Sequence, residues 1–241
     1  MKVAPIPSFE SERLDALRRY QILDSDAEKA YDDLAELASV ICGTPVALVS
    51  LVDADRQWFK ARVGLDVEEP SRDVAFCAHA ILGEDLLVVP DATRDDRFAD
   101  NPLVTGAPGV RFYAGAPLIT PDGYGLGTLC VVDSQPHELT DEQARALRML
   151  SRQVMALLEY RRTARDLAHA LERVRQLQEL LPICAYCKKI RDDDGYWRNV
   201  EEYIREHAGS EFTHGICPDC IARHFPEALA NADDEAETRQ T

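Results

Sequence analysis

The chain has 241 residues, 46% of them hydrophobic, which is enough for one large domain, or for one medium domain with a buried core plus a smaller one. Its formal net charge of −16 repels phosphate backbones and anionic lipid, so bulk nucleic-acid or membrane binding is excluded. No apolar run is long enough to span a bilayer and the N-terminal "MKVAPIPSFESERL" carries no apolar signal core, so a cytoplasmic protein is expected.

In chain order, "SFESERLDALRRYQILD" opens on Ser8 and spaces Leu14, Leu17 and Ile22 at helical intervals. A second helix follows, with Tyr31, Leu34, Leu37, Ala38 and Ile41 on one face and Gly43 as its stop. "PVALVSLVD" and "RQWFKARVG" form an antiparallel hairpin. "VAFCAHAIL" is a short buried helix and "DLLVVPDA" a short strand. "TRDDRFADNPLVTGAPG" is a long loop or short helix of the kind that covers a pocket. A second hairpin turns at Asp122-Gly123 between "FYAGAPLIT" and "GLGTLCVVD". The order fits an α+β domain, an antiparallel sheet with helices against one face and a pocket on the other.

Thr140 and Gln143 make a capping box, and no Gly or Pro interrupts the chain before Pro182. The helix they open can run about forty residues, longer than one domain needs. Leu150, Leu157, Ala164 and Leu171 form one heptad row; Tyr160, Leu167, Val174 and Leu181 form the other, with Gln153 and Gln178 as polar interruptions. The first third is expected to pack on its own domain. The remainder lacks an internal partner, so a parallel homodimer through residues 141–181 is expected.

Seven cysteines fall into two groups. Cys42, Cys77 and Cys130 stand singly in apolar stretches, the usual setting of small core residues. Cys184, Cys187, Cys217 and Cys220 form two Cys-x-x-Cys pairs around the segment 188–216. Neither pair is followed by His, so c-type haem attachment is excluded, and the spacing fits an iron–sulfur cluster poorly. Structural zinc held by all four thiolates fits best, with no open position for catalysis. Between the pairs the sequence reads as strand, Asp194-Gly195 turn, strand, and a helix from Asn199 to Gly209; Pro218 starts a last short helix. So small a module needs a metal to fold, and His214, three residues before Cys217, is placed to replace one ligand or to donate to a sulfur. Six Lys/Arg (Lys188, Lys189, Arg191, Arg198, Arg205, Arg223) against eight Asp/Glu leave no basic stripe, so a protein partner is expected, with Tyr196 as a contact and Trp197 as core.

Six blocks, "ERLDALRRYQILD", "ALVSLVDADRQWFKARVGL", "FCAHAIL", "VVPDATRDDRFADNPLV", "RFYAGAPL" and "GLGTLCVVD", resemble a bacterial GAF sensor domain over about residues 10–160. The resemblance implies sensory signalling but not a ligand. Arg72, His79, Asp91, Arg97, Asn101 and Arg111 are its candidate pocket residues. Arg97 and Arg111 could meet an anion, or could instead pin the loop to neighbouring aspartates. Bilin-attaching GAF domains place Cys directly before His, whereas Ala78 intervenes here. Cys77 and Cys130 have no neighbouring cation, and intrinsic catalysis is not expected. The tail resembles a cysteine-rich unit appended to bacterial sensors, with "CxxCKKIRDDxGYW" and "HGICPxC".

The organisation expected is a GAF domain with an N-terminal helix over 1–160, a coiled-coil linker over 161–181, a zinc module over 182–226 and a disordered acidic tail over 227–241. The function expected is a sensor/adaptor relaying a small ligand through a dimeric helix to the zinc module. The alternative is a redox sensor whose four paired cysteines release zinc and oxidise.

Overall fold

The structure is a computed structural model and describes residues 1–66, 69–178, 182–192 and 194–225. Leu181 and the acidic tail 227–241 lie outside the described residues. Two compact units make up the chain, Met1–Ala170 and Leu171–Thr241.

In the first unit, α1 (Glu10–Tyr20) and α2 (Lys29–Cys42) precede the hairpin β1 (Val46–Val52) and β2 (Gln57–Val63). After α3 (Phe76–Ala80), β3 (Leu87–Val89) and α4 (Pro102–Thr105) come the second hairpin, β4 (Phe112–Ile119) and β5 (Gly125–Asp133), and the long helix α5 (Asp141–Gln178), whose residues 141–170 belong to this unit. The five strands form one antiparallel sheet in the order β2-β1-β5-β4-β3. Gly123, at φ +88°, closes the second hairpin where Asp122-Gly123 calls for a left-handed residue.

Strand alternation divides the core. Val49 and Leu51 of β1, Trp58 of β2, Ala114 and Ala116 of β4, and Leu129 and Val131 of β5 face α1, α2 and α5. Leu48 and Val52, Tyr113 and Cys130 face the opposite side, where α3 and the 92–110 loop close over them with Phe76, Phe98, Val104 and Val110. The second hairpin, the short helix "FCAHA" and the covering loop thus fold as their sequences foretell.

Helix α2 departs from expectation in phase. Its buried stripe is Tyr31, Ala35, Ala38 and Cys42, while Leu37 is 48% exposed and Ile41 also faces outward. Small residues here let the helix lie close on the sheet, and close approach outweighs the size of the apolar side chain in choosing the inward face. Helix α1 buries Arg13, Ala16, Leu17 and Tyr20. Arg13 is fully buried because its guanidinium meets the Val52 carbonyl oxygen at 2.8 Å and both carboxylate oxygens of Glu10.

The Thr140–Gln143 capping box forms reciprocally, at 3.0 and 3.2 Å. Leu147, Val154 and Leu158 of α5 pack on the sheet beside α1 and α2. From Tyr160, which is 73% exposed, onward the apolar row turns outward: Leu167, Leu171 and Val174 are exposed.

In the second unit, β6 (Ile190–Arg191) pairs antiparallel with β7 (Trp197–Arg198), turning through Gly195 at φ +86°. Helix α6 (Val200–Ala208) ends on Gly209 in the left-handed region, and α7 (Pro218–His224) starts on proline. Trp197, expected as core, is 50% exposed, and Ile190 is the buried apolar side chain of this unit among the described residues.

Candidate ligand pocket and paired thiols

A cavity of about 290 Å³ lies on the sheet face opposite α5. Leu48 of β1, Gln57 and Phe59 of β2, Phe76 and Cys77 of α3, Tyr113 of β4 and Cys130 and Val132 of β5 wall it, and Leu103, Pro108 and Val110 of the covering loop complete it. The lining is mostly apolar; Asp133 alone brings a charge among the described lining residues.

Cys77 and Cys130 meet in this wall with their sulfurs 3.8 Å apart. Three side chains aim hydrogen-bond donors at the Cys77 Sγ: Thr128 Oγ1 at 3.0 Å, Gln57 Nε2 at 3.2 Å and Tyr113 Oη at 3.4 Å. Gln57 Nε2 also donates to Ser50 Oγ at 3.0 Å, which fixes the amide. Burial alone would push the Cys77 thiol up. Hydrogen bonds from Cys130, Ser50, Thr128 and Tyr113 outweigh that and hold it below an ordinary cysteine. The Cys130 thiol goes up, first through its hydrogen bond to Cys77 and then through burial. The pair therefore shares its protons unequally, with the thiolate favoured on Cys77.

Gly115 makes the Tyr113 contact possible. It lies two residues along β4, on the same face, and a Cβ there would sit 2.1 Å from the Tyr113 hydroxyl. The bare backbone lets the phenol fold over it and reach Cys77.

The sequence model of the GAF domain family matches residues 26–158. This chain belongs to the GAF domain family. A cyclic di-GMP phosphodiesterase of Pseudomonas aeruginosa is 42% identical over 157 residues, which are 65% of this chain and 27% of that protein. The chain thus spans little more than a quarter of that relative. Among solved structures, the GAF domain of a phosphoenolpyruvate-protein phosphotransferase from Coxiella burnetii is 15% identical with a TM-score of 0.49, covering 64% of this chain and 96% of its own. The corresponding Acinetobacter domain is 20% identical at a TM-score of 0.45, covering 67% and 98%.

None of the six residues expected at the GAF pocket lines the cavity. Arg72 reaches Glu10 and the carbonyl oxygens of Asp53 and Ala54. Asp91 caps the 92–94 turn through Thr93, and Arg97 pairs with Asp95. Asn101 caps α4 through the Leu103 N–H and ties it to the Val74 carbonyl, and Arg111 donates to the carbonyls of Val104 and Val110. His79 bonds the Lys2 carbonyl and stands edge-on to Phe98. Burial pushes its imidazole below the ordinary value. These side chains hold the loop and the N-terminal segment in place around the pocket.

Of the strand residues that build the polar side of the pocket, Gln57 and Tyr113 line the cavity, while Ser50 and Thr128 bond to Gln57 and Cys77 without lining it. Ser50, Gln57, Tyr113 and Thr128 sit among apolar residues on strands whose alternate positions all bury. A polar group on the second buried face was the available sign, since such a group must find a partner there.

In the second unit the Cys184–Cys187 pair sits on a tight turn, and Cys217 and Cys220 sit at the N-cap and in the first turn of α7. Lys188 N–H donates to the Cys184 carbonyl at 3.0 Å and Lys188 adopts φ +62°; Ile221 N–H donates to the Cys217 carbonyl at 2.9 Å. The backbone N–H groups of Cys187 and Tyr186 lower the Cys184 thiol, and that of Cys220 lowers the Cys217 thiol. The first sulfur of each pair thus ionises more readily than an ordinary cysteine, and the thiolate is the form a metal takes. Among the described residues no group of three or more potential metal ligands is gathered. No helix among them is long and apolar enough to cross a membrane.

Proposed function

We propose that this chain is a signal-transduction sensor and adaptor whose GAF cavity takes a small, mostly apolar ligand and whose helix α5 relays its presence. One observation carries the reading: the cavity and α5 lie on opposite faces of the same sheet. In β1, Leu48 faces the cavity and Val49 the helices; in β5, Cys130 and Leu129 divide in the same way. A ligand that shifts these strands from one side presses on α5 from the other, and it biases the helix by its difference in affinity for the two arrangements. The likeness to part of a cyclic di-GMP phosphodiesterase supports a place in signalling. The shared stretch is too small a share of that protein to bring its activity with it.

The outward row of Tyr160, Leu167, Leu171 and Val174 supports a parallel homodimer through residues 141–181. The four-thiol set Cys184, Cys187, Cys217 and Cys220 suits a structural zinc ion. With Trp197, Phe212 and Ile216 exposed, the module has little apolar burial of its own, and a metal would supply the missing folding free energy. Its balance of charges favours a protein partner over nucleic acid.

The test is denaturing mass spectrometry of the purified full chain for a released small molecule, followed by hydrogen exchange of α5 with and without it. The reading expects a low-mass species that is lost in Leu103→Trp, which fills the cavity, and altered protection in residues 141–158. A cavity that retains nothing and an α5 indifferent to every candidate would overturn it. Zinc analysis of Cys187→Ser separately tests the metal; unchanged stoichiometry would remove zinc from the proposal. Zinc lost from the wild-type chain on mild peroxide treatment would favour the four paired cysteines as a redox sensor.

A further inference from the structure

We infer that Cys77 and Cys130 form a redox site, inside the GAF cavity, where a small hydroperoxide oxidises the pair reversibly to a disulfide. Three observations carry it. The two sulfurs face each other at 3.8 Å across α3 and β5. Both belong to the cavity wall, yet they are only 1% and 0% exposed, so an oxidant must enter the cavity to meet them. Thr128, Gln57 and Tyr113 bring their donors within 3.0–3.4 Å of the Cys77 sulfur, which marks Cys77 as the attacking member and leaves Cys130 to resolve.

Cys77 first gives up its proton to solvent. Its thiolate attacks the terminal oxygen of the hydroperoxide, and the O–O bond breaks. The alkoxide, or hydroxide from hydrogen peroxide, leaves and takes a proton from solvent. Cys77 is then a sulfenic acid. The Cys130 sulfur attacks it, the S–O bond breaks, and hydroxide leaves as water with the Cys130 proton. Two thiols and one hydroperoxide thus give one disulfide, one alcohol or water, and one further water. Closing from 3.8 Å to a bond of about 2 Å draws the sulfurs together by roughly 1.8 Å. Central strand β5 is held on both sides, so the short helix α3 makes the move and carries Phe76 with it. Oxidation would therefore reshape the cavity that the proposed ligand occupies.

Cys42 is the internal control. It is buried against the other sheet face, and burial pushes its thiol up to about 11. The reduced full chain is treated with hydrogen peroxide, alkylated, digested without reductant and mapped by mass spectrometry. The expected result is a linked Cys77–Cys130 peptide, reversible by dithiothreitol, formed at least about tenfold faster than any oxidation of Cys42. Cys130→Ser should stop at a sulfenic acid on Cys77 that dimedone traps. If that variant fails to fold, dimedone added to the wild-type reaction should divert Cys77 from the linked peptide to the adduct. Recovery of Cys77 and Cys130 as free thiols from folded wild-type protein, after the four tail cysteines have oxidised, would overturn the inference. Such a failure would leave the ligand reading standing, because that reading rests on occupancy of the cavity and not on sulfur chemistry.

Discussion

Lys60 of β2 and Arg161 of α5 end on the same carboxylate oxygen, Oε1 of Glu28, at 2.7 and 3.0 Å. Lys60 is a buried cation in the sheet that also donates to Ser25 Oγ and the Asp26 carbonyl. Arg161 and Arg165 in turn donate to the carbonyls of Tyr20 and of its neighbours at the end of α1. The sheet, the entry to α2, the end of α1 and the outgoing helix are thereby joined at one acid. Glu28→Gln should weaken this joint and cost about 1–2 kcal/mol, less than a fully buried pair would because the carboxylate is partly exposed. Hydrogen exchange should quicken around residues 158–170 with the sheet unchanged. Uniform protection would mean that α5 is held by Leu147, Val154 and Leu158 alone.

A second acid sets a pH limit. Burial would raise the Glu10 carboxyl, but its hydrogen bonds and charge contacts with Arg13 and Arg72 prevail and hold it at about 2, against an ordinary value of 4.5. Because the folded-state value is depressed, the stabilisation is fully present above about 4.5 and disappears as pH falls toward about 2. Urea midpoints measured across that window should fall, and Glu10→Gln should flatten the fall while lowering stability at neutral pH. A parallel pH profile in the variant would show that other carboxylates set the limit.

Gly115→Ala should drive the Tyr113 hydroxyl off Cys77, since the added Cβ would lie 2.1 Å from it. The expected cost is about 1–3 kcal/mol for overpacking. Loss of that donor should also raise the pH at which Cys77 becomes reactive toward iodoacetamide. Tyr113→Phe removes the donor without the overpacking and should reproduce the reactivity shift. A profile unmoved in both variants would show that Thr128 and Gln57 suffice.

Leu167 is 59% exposed in the single chain, so a charge there need not disturb the fold. If α5 pairs in parallel with a second copy, Leu167→Glu places like charges in the seam and should favour monomers. Light scattering over a concentration series reads this directly. A wild-type chain that remains monomeric at high micromolar concentration would remove the dimer from the proposal.

The sequence by itself determined the element order, both hairpins, the capped start of α5 and the GAF family, because alternation, turn residues and caps act over a few positions and need no distant partner. It also marked the cysteine pairs in the tail. It did not determine which polar residues meet at the pocket. Cys77 and Cys130 are far apart in the chain and each sits in an apolar run that looks inert. Only the stacking of α3 on β5, with Ser50, Gln57, Tyr113 and Thr128 arriving from four strands, makes them a hydrogen-bonded pair. The loop residues that looked like ligand contacts, Arg72, Arg97, Asn101 and Arg111, found carboxylates and carbonyls nearer at hand. The phase of α2 was likewise decided in three dimensions, where the depth of approach to the sheet favoured Ala35 and Ala38 over Leu37 and Ile41. In each case the deciding quantity is a distance between residues remote in sequence, which local pattern does not contain.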